Sequence, residues 1–198
     1  MRILFISWLV VLSSSRLFAD SEIDETWLSG SRANKNTFDS GLALKRTKKM
    51  GIQTTFAGAT GLVGLNADLN FAEDFAVSIG YGVSHGFQAF NIHVKESLGG
   101  KNFIPYFVGG YSRWYAHGRE GGAHNTSPAF LADKFLSAHE RRTGDFSKDI
   151  IYPGLGLQYL NIDGDWRGLG FFAETLFLVN LNDFLASATA GLGTIYYF

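Results

Sequence analysis

From residue 51 onward the chain alternates apolar and polar positions with a period of two, the signature of β-strands with two different faces. Val63, Leu65, Ala67, Leu69 and Phe71 fall on one face, and Gly64, Asn66, Asp68 and Asn70 on the other. Phe75, Val77, Ile79, Tyr81 and Val83 then oppose Ala76, Ser78, Gly80, Gly82 and Ser84. Phe90, Ile92 and Val94 oppose Ala89, Asn91, His93 and Lys95, and Leu155, Leu157 and Tyr159 oppose Gly154, Gly156 and Gln158. Leu169, Phe171, Ala173, Thr175, Phe177 and Val179 oppose a row that contains Glu174, while Leu192, Tyr196 and Phe198 share a face near the end. Residues 51–58 alternate more weakly, and 103–116 is apolar on both faces except for Arg113. We assign Arg113 inward, which sends Ile104, Tyr106, Val108 and Trp114 outward. The pattern predicts eight strands, over 51–58, 62–72, 75–84, 87–97, 103–116, 150–162, 168–180 and 184–198.

Most of these segments are close to the roughly 9–11 residues that a tilted strand needs to cross a bilayer. The predicted fold is all-β: an eight-stranded antiparallel transmembrane β-barrel over 50–198 with one long extracellular loop, 117–149, containing a short helix. The connections agree with this. An even strand count puts both barrel ends on the periplasmic side, so the turns at 72–74, 99–101 and 163–165 are periplasmic and short, and the long loop lies outside. A soluble β-sandwich or lipocalin-like barrel also alternates, but points its apolar face inward.

Composition supports the membrane reading. The chain has 24 Gly, 15% aromatic residues and only 18% charged residues, yet no apolar run long enough for a spanning helix. A closed barrel is the other way to satisfy every backbone group in lipid. The net charge of -1 points to no nucleic-acid partner, and without Cys there is no disulfide framework. Residues 1–19 read as a signal peptide, with Arg2 before an apolar run and a small-residue region ending at Ala19. Residues 20–49 read as a periplasmic tail, whose Lys45, Arg46, Lys48 and Lys49 form a solvated basic flank.

The inward polar set is a candidate lumen charge network: Asp68, His93, Lys95, Arg113 and Glu174. Buried charges must pair, and two carboxylates against two cations balance. In the long loop, Ser127-Pro128 reads as a helix start and Ala129 to Arg142 as one amphipathic helix with Gly144 as its cap. Its apolar residues Phe130, Leu131, Phe135 and Leu136 form a candidate contact surface. No His spacing suits a metal, so no metal and no cofactor are expected.

The final strand, with Gly193, Tyr196 and the terminal Phe198, resembles the assembly signal of bacterial outer-membrane barrels. Together with Gly86-Phe87-Gln88-Ala89-Phe90, Pro105-Tyr106-Phe107 and Gly110-Tyr111-Ser112-Arg113-Trp114-Tyr115, it makes residues 50–198 resemble the small eight-stranded barrels of Gram-negative bacteria, the OmpA/OmpX/OmpW-like group. The likeness is greatest to barrel proteins of predatory deltaproteobacteria. The resemblance implies a cell outer membrane location, contact with membrane lipid and lipopolysaccharide, and recognition of the C-terminal strand by the barrel assembly machinery. It implies no reaction, because the fold hosts many functions. Lipid-modifying barrels carry a His-x-Ser pair with a Glu, or a loop His with an adjacent Asp-Ser pair. This chain has no His-x-Ser, and its Asp-Ser pairs, Asp20-Ser21 and Asp39-Ser40, fall in the tail. The expected role is therefore structural or surface-interacting and not enzymatic, with a sealed polar lumen. A narrow conduit for small or hydrophobic solutes and a lipid-modifying enzyme are the alternatives.

Overall fold

The computed structural model describes residues 38–84, 86–116, 131 and 134–198. Eight strands run in chain order around a closed barrel: β1 Met50–Ala57, β2 Val63–Asn70, β3 Phe75–Ser84, β4 Phe87–Ser97, β5 Phe103–Ala116, β6 Phe146–Leu160, β7 Leu169–Asn180 and β8 Ala186–Tyr197. Each pairs antiparallel with its neighbour. The β1–β8 seam runs from Gly51 opposite Tyr197 to Ala57 opposite Gly191. Closure leaves no sheet edge, so every strand finds backbone partners on both sides. β6 starts at Phe146, four residues before the sequence reading, and continues the β5 ladder up to Ala116 opposite Phe146.

The apolar stripes face out. Ile52, Leu65, Ile79, Phe90, Phe107, Leu157, Phe171 and Leu192, one from each strand, are all exposed on the bare exterior. Asn66, Ser78, His93 and Lys95 are buried inside, with Glu174 on the same lumen face. Inward glycines make room for large side chains across the bore. A Cβ on Gly156 would run into the Tyr106 ring, and one on Gly193 would run into Phe172.

β5 corrects the sequence reading. Ile104, Tyr106, Val108 and Trp114 point inward and are buried, and Arg113 points outward with 55% of its side chain exposed. Strand register decides this. Ile104 and Tyr106 stand opposite inward Gln158 and Gly156, and Val108 opposite inward Gly154. The lumen needs bulk beside those glycines, whereas a guanidinium near the barrel rim finds polar partners outside.

The end bearing Met50 and Phe198, here the lower end, is not capped by strands alone. Gly41–Thr47 forms a short helix, α1, N-capped by Ser40. Its Leu44 joins Ile104, Leu160, Ile162, Ile195 and Tyr197 in an apolar layer, with Phe38 and Leu42 packed against it. The basic segment is therefore not a wholly solvated flank: Lys45 is 1% exposed. At the upper end the turn Gly58–Thr60 folds into the bore, and the Ala59 carbonyl accepts hydrogen bonds from Ser112 Oγ (2.8 Å) and Trp114 Nε1 (2.7 Å). Ala57, with φ 62°, and Gly58, with φ 79°, supply the left-handed backbone for that inward fold.

The loop helix is also corrected. Leu131, Lys134 and Phe135 are helical, but the chain bends at Leu136 and a second helix, α2 Ala138–Thr143, begins. Ser137 and Glu140 form a reciprocal capping box that starts α2, and Gly144 closes it at φ 72°. Leu131, Phe135 and Leu136 are buried with Phe87, Trp114 and Phe146 in the upper mouth, so they are core and not a free contact surface. Phe130 lies outside the described residues.

Candidate functional site

Among the described residues, the lumen brings together most of the charged side chains that the sequence singles out. Two adjacent levels of the β2–β3–β4 wall carry its centre. Asp68, Ser78 and His93 stand side by side, and Asn70, Ala76 and Lys95 form the next row toward the lower end. Asp68, fully buried, accepts hydrogen bonds from Ser78 Oγ and from Tyr197 OH (2.7 Å), and Lys95 Nζ lies 3.5 Å from its Oδ1. Lys95 also donates to Gln53 Oε1 at 2.5 Å, across the bore on β1. Its ammonium is 5.4 Å from the Phe172 ring centroid and 5.8 Å from that of Tyr106, within the range of cation–π attraction.

Two further polar contacts join strands that are not neighbours. Tyr106 OH on β5 donates to Glu174 Oε2 on β7 at 3.1 Å. Tyr152 OH on β6 meets His93 Nδ1 on β4 at 3.4 Å. These links tie the walls of the bore together, as the narrow interior of an eight-stranded barrel allows. Among the described residues, the structure thus gathers Asp68, His93, Lys95 and Glu174 as the sequence reading expects.

Arg113 is not in this network. Its Nε is 3.2 Å from Ser147 Oγ and 3.9 Å from Asp149 Oδ1 on the outer wall, where Tyr111 OH donates to the same carboxylate at 2.5 Å. The cation that sequence reasoning missed is Lys45. From α1 it reaches into the lower lumen, donates to Ser97 Oγ at 2.9 Å, and sits 5.9 Å from the Tyr197 ring centroid. Burial, the largest influence, pulls its pKa down from 10.5 to about 8, partly opposed by the Asp68 carboxylate. Lys48 grips the closing strand nearby, donating to the Tyr197 carbonyl at 3.0 Å and lying 5.6 Å from the Tyr196 ring centroid. Lys148, also unforeseen, pairs at 2.9 Å with Glu140 of α2 and so fastens the loop to β6. Burial works to raise the Glu140 pKa, but hydrogen bonds from Ser137 and Lys148 outweigh it and hold the carboxyl below its ordinary value.

Tyr196 and Phe198 are exposed on the outer face of the lower rim, while Gly193 lies on the lumen side against Phe172. Among the described residues no group of acidic and His side chains forms a metal site.

No protein-family model matches the chain, and no curated protein matches it. Among solved structures it is similar to the backbone structure of the Yersinia pestis outer membrane protein Ail in a phospholipid bilayer nanodisc. The two are 14% identical with a TM-score of 0.40, over 75% of this chain and 97% of that one. The class assigned here, an eight-stranded closed antiparallel barrel, rests on the strand pairing itself.

Proposed function

We propose that this chain is an outer-membrane β-barrel with a structural or surface-interaction role and a lumen that passes no solute. The observation that carries the reading is the inverted packing. Large apolar side chains cover the outside of all eight strands, while charged and amide side chains line the middle of the bore between apolar layers at its two ends. An apolar surface that encircles a molecule far exceeds the few hundred Å² that soluble monomers usually expose, and a bilayer covers it. In this reading the lower end is periplasmic and the upper mouth extracellular. Phe198 and Tyr196 mark the strand read by the assembly machinery, and outward Arg113, with Tyr111 and Tyr115, faces the polar zone of lipid and lipopolysaccharide. The exposed side of α2, with His139 and Arg142, offers the extracellular contact surface.

The sealed lumen is supported by the bonds that cross it from β4 to β1, β5 to β7 and β4 to β6. The same packing supports a non-enzymatic role. His93 and Asp68 of the lumen network are walled in where lipid cannot reach them. Planar-bilayer recording of the refolded protein tests the proposal. Little or no steady conductance is expected, and stable, large unitary conductance would overturn the sealed lumen in favour of a conduit.

A further inference from the structure

The two ends of the lumen are closed in different ways. At the upper end the plug is built from strand residues such as Phe87, Trp114 and Phe146, from Leu131, Phe135 and Leu136 of the β5–β6 connection, and from the Gly58–Thr60 turn, all held within the barrel sequence. At the lower end the closure is α1, which precedes β1 and lies outside the barrel sequence. α1 is seven residues long, too short to hold together in water by itself. The Gly41 N–H donates to the Lys101 carbonyl at 2.7 Å and the Phe38 N–H to the Ile162 carbonyl at 3.0 Å. Lys48 holds the Tyr197 carbonyl, and Leu44 fills the apolar layer. Against these contacts stands Lys45, an ammonium taken out of water with a neutral hydroxyl as its hydrogen-bond partner.

Above α1 the lining of the lumen is polar. Gln53 Nε2, Asn66 Oδ1, Asn70 Oδ1 and His93 Nε2 are buried there without a hydrogen-bond partner in the protein. Native proteins satisfy such atoms, and clustered donors and acceptors of this kind are what ordered water bridges.

From these two observations we infer that α1 is a displaceable periplasmic stopper over a hydrated polar lumen, and that the buried Lys45 ammonium keeps its docking weak enough to reverse. The inference rests on the reading of the chain as a sealed outer-membrane barrel. It separates two properties of the lumen: closed to through-passage because of the upper plug and the cross-bore bonds, yet open to exchange with the periplasm when α1 lifts.

The chain has no native Cys, so one introduced thiol reports cleanly. Ala76→Cys places it on the lumen wall just inside α1, beside Lys95 and beside Asn70, whose Nδ2 donates to the Lys48 carbonyl at the end of α1. The full chain carrying A76C is refolded into nanodiscs and the rate of alkylation by iodoacetamide is measured. Heat-modifiability on gels verifies the barrel. Lys45→Glu brings a carboxylate toward Asp68 and should speed labelling at least tenfold. Lys45→Met keeps the length, removes the buried charge, and should slow labelling below the wild-type background. Equal rates in the three backgrounds, or faster labelling with Met, would overturn the stopper. If the Glu variant forms no barrel, the Met comparison decides alone. Steady conductance by the wild type would remove the sealed-lumen reading instead, a result that labelling rates do not mimic.

Discussion

Replacing Asp68 by Asn isolates the charge at the centre of the lumen. Asn has nearly the same shape; because Ser78 and Tyr197 donate to different carboxylate oxygens, the amide oxygen keeps one of these hydrogen bonds and the amide NH2 meets the other hydroxyl, which can turn to accept. What is lost is the anion 3.5 Å from Lys95 Nζ. At an effective dielectric of about 20, unit charges at that distance attract by roughly 5 kcal/mol before desolvation is counted. Asp68 and Lys95 are 0% and 4% exposed, so solvent screening removes little of this. Leaving Lys95 buried without its counter-ion should cost about 3–5 kcal/mol. Urea unfolding of the refolded protein in micelles measures the cost, with Trp114 as reporter because it sits inside the barrel against the Ala59 carbonyl. The D68N, K95M and double variants complete a cycle. The double variant should be less destabilised than the two single losses combined, with a coupling of about 1–3 kcal/mol. A D68N protein within about 0.5 kcal/mol of wild type, in the range of an ordinary surface change, or a coupling of zero, would refute the argument that this pair organises the lumen.

Three further expectations concern the two ends of the barrel. Phe198→Ser should lower the amount of protein assembled in the outer membrane while leaving the heat-modifiability of assembled molecules unchanged; undiminished outer-membrane levels on fractionation would remove the assembly-signal reading. Docking of α1 should tighten with alkalinity. The Lys45 pKa is about 8 when docked, depressed by burial and by Lys95 and partly restored by Asp68 and Asp74, against 10.5 when free. Below about pH 8 Lys45 is charged in both states and docking bears the full cost of burial; above it the docked form sheds its proton first and the cost shrinks until pH 10.5. Between pH 7 and pH 9.5 the docking constant should rise roughly 30-fold, read as loss of the mobile component from a spin label at Leu42→Cys, and a flat or falling profile would contradict it. Ser137→Ala removes the α2 cap and should cost about 1 kcal/mol locally, seen as faster hydrogen exchange in α2 with the barrel amides unchanged; unaltered α2 exchange would argue against the cap.

The strands were legible because a lipid-facing barrel keeps strict two-residue alternation, as in Phe75 to Ser84. Phe103–Ala116 was not, because inward Tyr106 and Trp114 are as apolar as outward Phe103 and Phe107. Hydropathy cannot choose between such faces. The signal that does choose is volume: Gly154 and Gly156 already read as inward, and the residues paired beside them, Val108 and Tyr106, fill the space they leave. Lys45 was hidden for a different reason. A lysine among basic residues looks solvated, and only docking of α1 shows that this one is swallowed. The break in the loop helix was written as Ser137-x-x-Glu140, a capping box that an unbroken amphipathic reading passes over.

The central claim is that the apolar face of each strand meets lipid while the polar face lines a closed lumen. A nitroxide scan along β3, one Cys at a time from Phe75 to Ser84 in protein refolded into bilayers, tests it most directly. Collision with molecular oxygen, which concentrates in lipid, should be high at Val77, Ile79 and Tyr81 and low at Ala76, Ser78 and Gly80, positions that share the buried face. The opposite phase, or no two-residue period, would contradict the account.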